Sequence, residues 1–267
     1  MTASNIPATT DAIRRRLTRG TNFFDFAEVM HAVGASLAPA PCELLLPTEE
    51  EVDRAKGLGQ RLILCGPVPM VQLCDVLGND LGDGKLLYDT GWYGGGKEEF
   101  FTKAFWPDWH YRFTTEAVIS GSLGEDYLIQ TRLLVTYLKE QVYAGQPLPK
   151  LYADAVEEFE RREEELAKLM GEDWKKATEE IANLAISILF RETPDLVLWD
   201  IVLSQKVNGI YVLPDTWTWT NQRSSDGILV DIGYAGPDGV DVDDDDPGDS
   251  YGSLGVRFSR RVQPLAT

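Results

Sequence analysis

Residues 224–256 read SSDGILVDIGYAGPDGVDVDDDDPGDSYGSLGV. These 33 residues hold nine aspartates and no glutamate, although the whole chain carries 23 aspartates and 20 glutamates. Lys, Gln, Met and Trp are missing as well; with Glu they make up 49 of the 267 residues, so about six would be expected in such a window. Selection for negative charge alone would not exclude Glu. What is restricted is the alphabet. Asp, Tyr, Ala, Pro, Gly, Val, Ile and Ser can all be reached from the asparagine codon AAC by altering its two adenines, whereas Glu, Lys, Gln, Met and Trp cannot. Turn chemistry explains the glycines, prolines and serines, but it leaves the missing Lys and Glu unexplained.

The flanks extend the pattern outward. Before the window stand Leu213-Pro214-Asp215-Thr216-Trp217-Thr218-Trp219-Thr220 and then Arg223-Ser224-Ser225-Asp226-Gly227. Towards its end come Pro247-Gly248-Asp249-Ser250 and Gly252-Ser253-Leu254-Gly255-Val256-Arg257-Phe258-Ser259-Arg260. These segments resemble the C-terminal variable region of the variable proteins of diversity-generating retroelements, specifically over about residues 194–262. That family has a C-type-lectin-like fold related to that of formylglycine-generating enzymes.

The resemblance implies an α+β fold: a C-type-lectin-like domain of short twisted antiparallel strands, two core helices near 126–144 and 177–190, and a loop-rich C-terminal variable region over about 221–251. A reverse transcriptase would copy a template repeat with errors at adenines, so that solvent-facing residues vary on a fixed scaffold. Function would be non-enzymatic ligand binding. By position, the ligand-facing residues are Asp231, Ile232, Tyr234, Ala235, Asp238, Val240, Asp241, Val242, Asp243, Asp244, Asp245, Asp246 and Tyr251. Tyr234 is the best single anchor, because an amphipathic ring supplies large contact area at low entropic cost. The scaffold would comprise Trp217 and Trp219 on a half-buried strand, Arg223 paired with Asp226 across a turn, and Gly255, Arg257 and Phe258 in a closing strand. So acidic a face would suit a protein or glycan ligand that is cationic, with binding that weakens in salt.

Two other chemistries compete for the acidic run. Alternating carboxylates can ligate calcium, which makes a calcium-dependent carbohydrate-binding domain using the Asp238–Asp249 cluster the alternative. An EF-hand register fails, because counting from Asp241 puts Asp246 where glycine is required and Gly252 where a bidentate glutamate is required. A sulfatase-modifying enzyme needs cysteines in its C-terminal half, whereas Cys42, Cys65 and Cys74 all lie in the first 75 residues. No metal or other cofactor is assigned.

The rest of the chain sets bounds. Twenty-five basic against 43 acidic residues give a formal charge of -18, which repels phosphate backbones and anionic membranes. No run approaches the eighteen or so apolar residues a membrane helix requires, and the N-terminus lacks the layout of a secretion signal. The expected location is cytoplasmic or virion-associated, although displayed members of the family usually reach a cell or virion surface. Three cysteines at uneven spacing suit buried thiols better than disulfides. With His31 and His110 as the only histidines, hydrolytic triads are hard to assemble.

Along the chain, residues 1–40 read as an arm with the basic patch Arg14-Arg15-Arg16, a short helix around Phe23–Val33 and Ala-Pro-Ala-Pro at 38–41; the domain proper would be 41–267. Thr48 followed by acids predicts a helix to about Gly57, and Arg61–Cys65 a strand. The glycine-rich stretch 77–97 is loop. Within it, Gly91–Lys97 matches a phosphate-binding loop until Glu98 replaces the required hydroxyl. Apolar spacing predicts a helix over 127–142, a glutamate-faced helical insertion over about 150–176 that breaks at Gly171, and a core helix over 177–190. After Pro194, short apolar runs such as Leu196-Val197-Leu198-Trp199 predict strands and loops.

Overall fold

The computed structural model describes residues 7–37 and 43–263. Cys42, the Ala-Pro-Ala-Pro segment and the first six residues of the expected arm lie outside them. The fold is mixed α+β with two sheets. The first has the order β1 (Phe23–Phe24), β2 (Gln60–Cys65), β3 (His110–Thr115), β8 (Ser259–Arg261). Its β1 runs parallel to β2, and its other pairs are antiparallel. The second has the order β6 (Gly239–Asp245), β5 (Leu229–Gly236), β4 (Trp217–Arg223), β7 (Leu254–Gly255), with β7 parallel to β4. The first sheet thus joins strands from near both ends of the chain.

Helices surround them. In the first half stand α1 (Thr10–Arg14), α2 (Phe26–Val33), α3 (Glu49–Gly57), α4 (Met70–Leu77) and α5 (Glu99–Thr102). The second half contributes α6 (Tyr127–Tyr137), α7 (Lys150–Glu172), α8 (Trp174–Ala182), α9 (Ala185–Phe190) and α10 (Pro194–Asn208). A π-helical turn, Leu138–Val142, continues α6. Among the described residues, no helix is long and apolar enough to cross a membrane.

Several sequence signals become structure as read. Thr48 Oγ1 accepts from the Glu51 amide while Glu51 reaches back to the Thr48 amide, a complete capping box that starts α3. On α7, Tyr152, Val156, Phe159 and Leu166 are buried, while its glutamates face solvent or pair with α6 through Arg132–Glu163 and Lys139–Glu160. The helix runs through Gly171 and stops at Asp173, whose carboxylate caps α8 at the Lys176 amide.

Three expectations are corrected. The segment after Pro194 is not strands and loops: Pro194–Asn208 is a 15-residue helix. It is buried on every side from Pro194 to Gln205, so the apolar period that marks a helix is absent and Leu196-Val197-Leu198-Trp199 looks like a buried strand. Pro194 in the first turn and Gly209 at φ +70° delimit it. Secondly, the core helix expected over 177–190 is two short helices broken at Asn183–Leu184. Thirdly, residues 7–37 are no arm. Ile13, Leu17, Phe23, Phe24 and Val29 are core residues, and the basic patch is tied down by Arg14–Asp25 (3.0 Å), Arg16–Asp53 (2.7 Å) and Arg19–Glu28 (2.8 Å).

The interior holds an unusual number of charges; Arg61, Arg112, Arg191, Arg257 and Arg260 are all fully buried. Asp200 of α10 pairs with Arg61 of β2 and, at 2.5 Å, with Arg257. Arg257 also bonds Thr114 Oγ1 (2.9 Å) and the Thr115 carbonyl (2.8 Å) of β3. Next to it, Phe258 stacks on Phe190 with ring centroids 5.4 Å apart. The Gly255–Phe258 segment therefore crosses from the second sheet to the first instead of forming one closing strand. Gly255 is required there, since a Cβ would stand 2.9 Å from Ser122 Oγ and Val118 Cβ.

Removing one partner of a buried pair leaves an uncompensated charge. Asp200→Ala, which strands two guanidiniums, should cost about 3–5 kcal/mol in urea denaturation. A loss below about 1 kcal/mol would show that Arg61 and Arg257 are held by their other partners.

Candidate functional site

The second sheet is two-faced because strand side chains alternate. On one face Val230 and Ile232 of β5 and Val240 and Val242 of β6 join the core that contains α10. On the other, Trp219, Leu229 and Leu254 join the cluster of α6, α7 and α9. This second cover gives out towards β6. There the ladders align Trp217 with Gly233 and Asp241, Trp219 with Asp231 and Asp243, and Leu229 with Asp245. A concavity of about 290 Å³ opens at this point, lined by Trp217, Asp231, Asp243, Asp245, Tyr251, Ser253 and Leu254.

Asp231 forms its floor. The residue is only 1% exposed, and its Oδ2 has no hydrogen-bond partner. Burial first, then the Asp245, Asp243 and Asp241 carboxylates, push its carboxyl well above the ordinary aspartate range. Burial also raises Asp245, while the Asp231 carboxyl beside it and the Tyr251 hydroxyl, which donates to Oδ1 at 3.3 Å, act to lower it. Both carboxyls thus hold a proton more readily than a free aspartate does. Asp241 is raised by burial as well, and its Oδ1 accepts the Val242 amide at 3.1 Å.

Tyr234 stands at the rim. A register shift between Gly233 and Gly236 forces it to φ +47°, an uncommon conformation for a bulky side chain. Its ring, 45% exposed, lies 5.5 Å from that of Trp217. Gly233 permits this geometry, because a Cβ there would collide with the Thr216 carbonyl.

The structure thus brings together Asp231, Asp241, Asp243, Asp245, Tyr234 and Tyr251. It does not expose all the residues expected to face ligand. Ile232, Ala235, Val240 and Val242 are buried in the core, and Asp231 is buried at the base of the concavity. The alternation of Val240 and Val242 with Asp241 and Asp243 is the signal that separates them. Asp238 is exposed at the β5–β6 turn, remote in register from Asp231. Asp244 lies on the opposite side near Ser224, Glu98 and Asp226, and Asp246 bonds Asp249 in the following turn.

Among the scaffold residues, Trp219, Gly255, Arg257 and Phe258 are buried as expected. Trp217 is half-buried and walls the concavity, a role its strand pattern does not reveal. The Arg223–Asp226 pair does not form among the described ion pairs. Ser224 closes that turn through the Gly227 and Ile228 amides, and Glu98 holds it from outside, accepting from the Ser225 amide (2.7 Å) and hydroxyl (2.6 Å).

Other candidates dissolve. The aspartates of 238–249 are split between two sides of a hairpin and a turn, and among the described residues no three His, Cys, Asp or Glu are placed to hold a metal ion. Lys97 donates to the Gly91 carbonyl of its own loop at 2.9 Å. His110 is buried, pushed down to about 4 by desolvation and the Arg112 guanidinium, with Nδ1 against the Asp108 carbonyl. Burial raises the Cys74 thiol to about 11. A larger cleft of about 840 Å³ lies between the 97–107 segment and the β4–β5 turn, with Arg223, Arg261 and the amides of Asn183, Asn221 and Gln222 on its walls. Compared with protein-family models, curated proteins and solved structures, the chain matches none.

Because the folded chain holds the Asp231 proton more tightly than the unfolded chain, this group favours folding below the ordinary aspartate range and ceases to do so as pH rises through its raised value. Asp231→Asn should stabilise the protein at pH 7 by roughly 1–3 kcal/mol, the cost of an unsatisfied buried group. The gain should shrink as denaturation is repeated towards about pH 4; a gain independent of pH would remove the electrostatic explanation.

Proposed function

We propose that this chain is a non-enzymatic ligand-binding protein whose ligand face is the outer side of the β5–β6 hairpin together with Trp217 and Tyr251. In this reading the face belongs to a variable region over about 221–251, diversified by adenine-directed reverse transcription, and the α+β fold is C-type-lectin-like. Its ligand is a protein or glycan, and its place of action is the cytoplasm or a virus particle.

One observation carries the reading. The window with the restricted alphabet coincides with a single hairpin and the turn after it, and Asp231, Asp243 and Asp245 of that hairpin line one concavity. A surface kept for stability alone would not gather carboxylates that raise one another's proton affinity.

The test is genetic and inexpensive. DNA beside the gene should contain a reverse transcriptase and a near-identical repeat differing from codons 221–251 at adenines. The two-faced sheet sharpens this: differences should fall at Asp231, Asp241, Asp243 and Asp245, while codons for the buried Ile232, Val240 and Val242 should match. Differences spread over all four bases, or concentrated at the three buried positions, would overturn the reading.

A further inference from the structure

We infer that the concavity between Trp217 and Tyr251 takes one guanidinium group, that of an arginine side chain on a protein ligand. The inference rests on the reading of this face as ligand-binding and names the chemistry that it recognises.

Size comes first. Small-molecule sites typically occupy ~300–1,000 Å³, and the space here is about 290 Å³. It admits one long side chain. The walls come next. Trp217 and Tyr251 offer aromatic surface to a flat cation. At the floor and rim, Asp231, Asp243 and Asp245 present acceptors, and the Tyr251 hydroxyl donates to Asp245.

Asp231 makes this more than an acidic cluster. It is a carboxyl almost wholly removed from water, with an oxygen that has no hydrogen-bond partner. Burying such a group unsatisfied is costly, and a donor supplied from outside relieves that cost. No internal cation does so: among the described ion pairs, none involves an aspartate of the β5–β6 hairpin, although arginines elsewhere are paired even in the core.

Charge alone does not choose among cations, but geometry does. The acids do not converge closely enough for a metal ion, so a compact cation finds no coordination shell. A guanidinium carries five N–H donors in a planar fork and stacks on aromatic faces, which suits separated carboxylates beside an indole. Asp231 is faced by Asp241, Asp243 and Asp245 of β6, by the uncharged Trp219 opposite it on β4 with Trp217 beside the concavity, and by Tyr251 of the following turn. A bound guanidinium favours the ionised form of carboxyls whose proton affinity burial has raised, so binding is accompanied by proton release and weakens as pH falls.

The experiment is calorimetric titration of the full chain with N-acetyl-arginine amide, its citrulline analogue and N-acetyl-lysine amide, in two buffers of different ionisation enthalpy. Arginine should bind at least about tenfold tighter than the uncharged citrulline isostere and tighter than lysine, with proton release. Asp231→Asn should lose about tenfold or more, whereas Glu164→Gln, which removes one charge from the solvated face of α7, should leave affinity unchanged. Equal binding of arginine and citrulline, equal binding of lysine, or equal losses in the two variants would each overturn the inference. If arginine fails while a protein or glycan array yields a ligand whose binding is lost in Tyr251→Ala, the guanidinium falls and the ligand-binding reading stands.

Discussion

One carboxylate, that of Asp200, sits between the guanidiniums of Arg61 and Arg257 and ties three parts of the chain together. It belongs to the helix buried on all sides, Arg61 to the first sheet, and Arg257 to the segment that crosses between sheets. Trp199 adds a bond from the same helix to the Leu64 carbonyl at 2.9 Å. Buried ion pairs contribute little net stability over apolar replacements, and specifying one arrangement is a separate effect. Here the arrangement specified is the placement of the hairpin relative to everything else, since α10 also packs on Val230 and Ile232 of β5. A rigid scaffold behind the acidic face follows from it.

Much of this was legible in the residues. The capping box at Thr48, the strand at Arg61–Cys65, the helix from Tyr127 and the glutamate-faced helix from Lys150 each carry a local signal with a local cause. What failed to show were elements whose character is set by distant packing. Pro194–Asn208 has no polar face because both sheets and several helices surround it, and so it lost the period that identifies a helix. Residues 7–37 look like an arm because their anchors, Asp53 and Glu49 for Arg16 and the β2 ladder for Phe23, are remote in sequence.

The site divides in the same way. An unusual alphabet drew attention to the hairpin that lines the concavity, but Val242 was expected to face ligand beside Asp243, although their alternation along the strand sends Val242 into the core. Composition had no means of revealing that Trp217 comes across the sheet to wall the concavity, or that Asp231 lies beneath the surface and not on it. The formal charge of -18 is likewise two different things. On α7 it is a solvated face with ordinary partners; on the hairpin it is a set of carboxylates that oppose one another's ionisation.

The backbone at Tyr234 shows what this surface costs. A non-glycine residue held at positive φ forfeits about 1–3 kcal/mol, and Gly, Asn or Asp at the same place would forfeit far less. All three lie one or two nucleotide changes away in the same codon family as tyrosine. The chain nevertheless keeps a bulky ring there, tilted against Trp217 and nearly half in water. Chains that differ only at this position would therefore differ in folding stability as well as in what they touch, and a search through surfaces is also a search through stabilities.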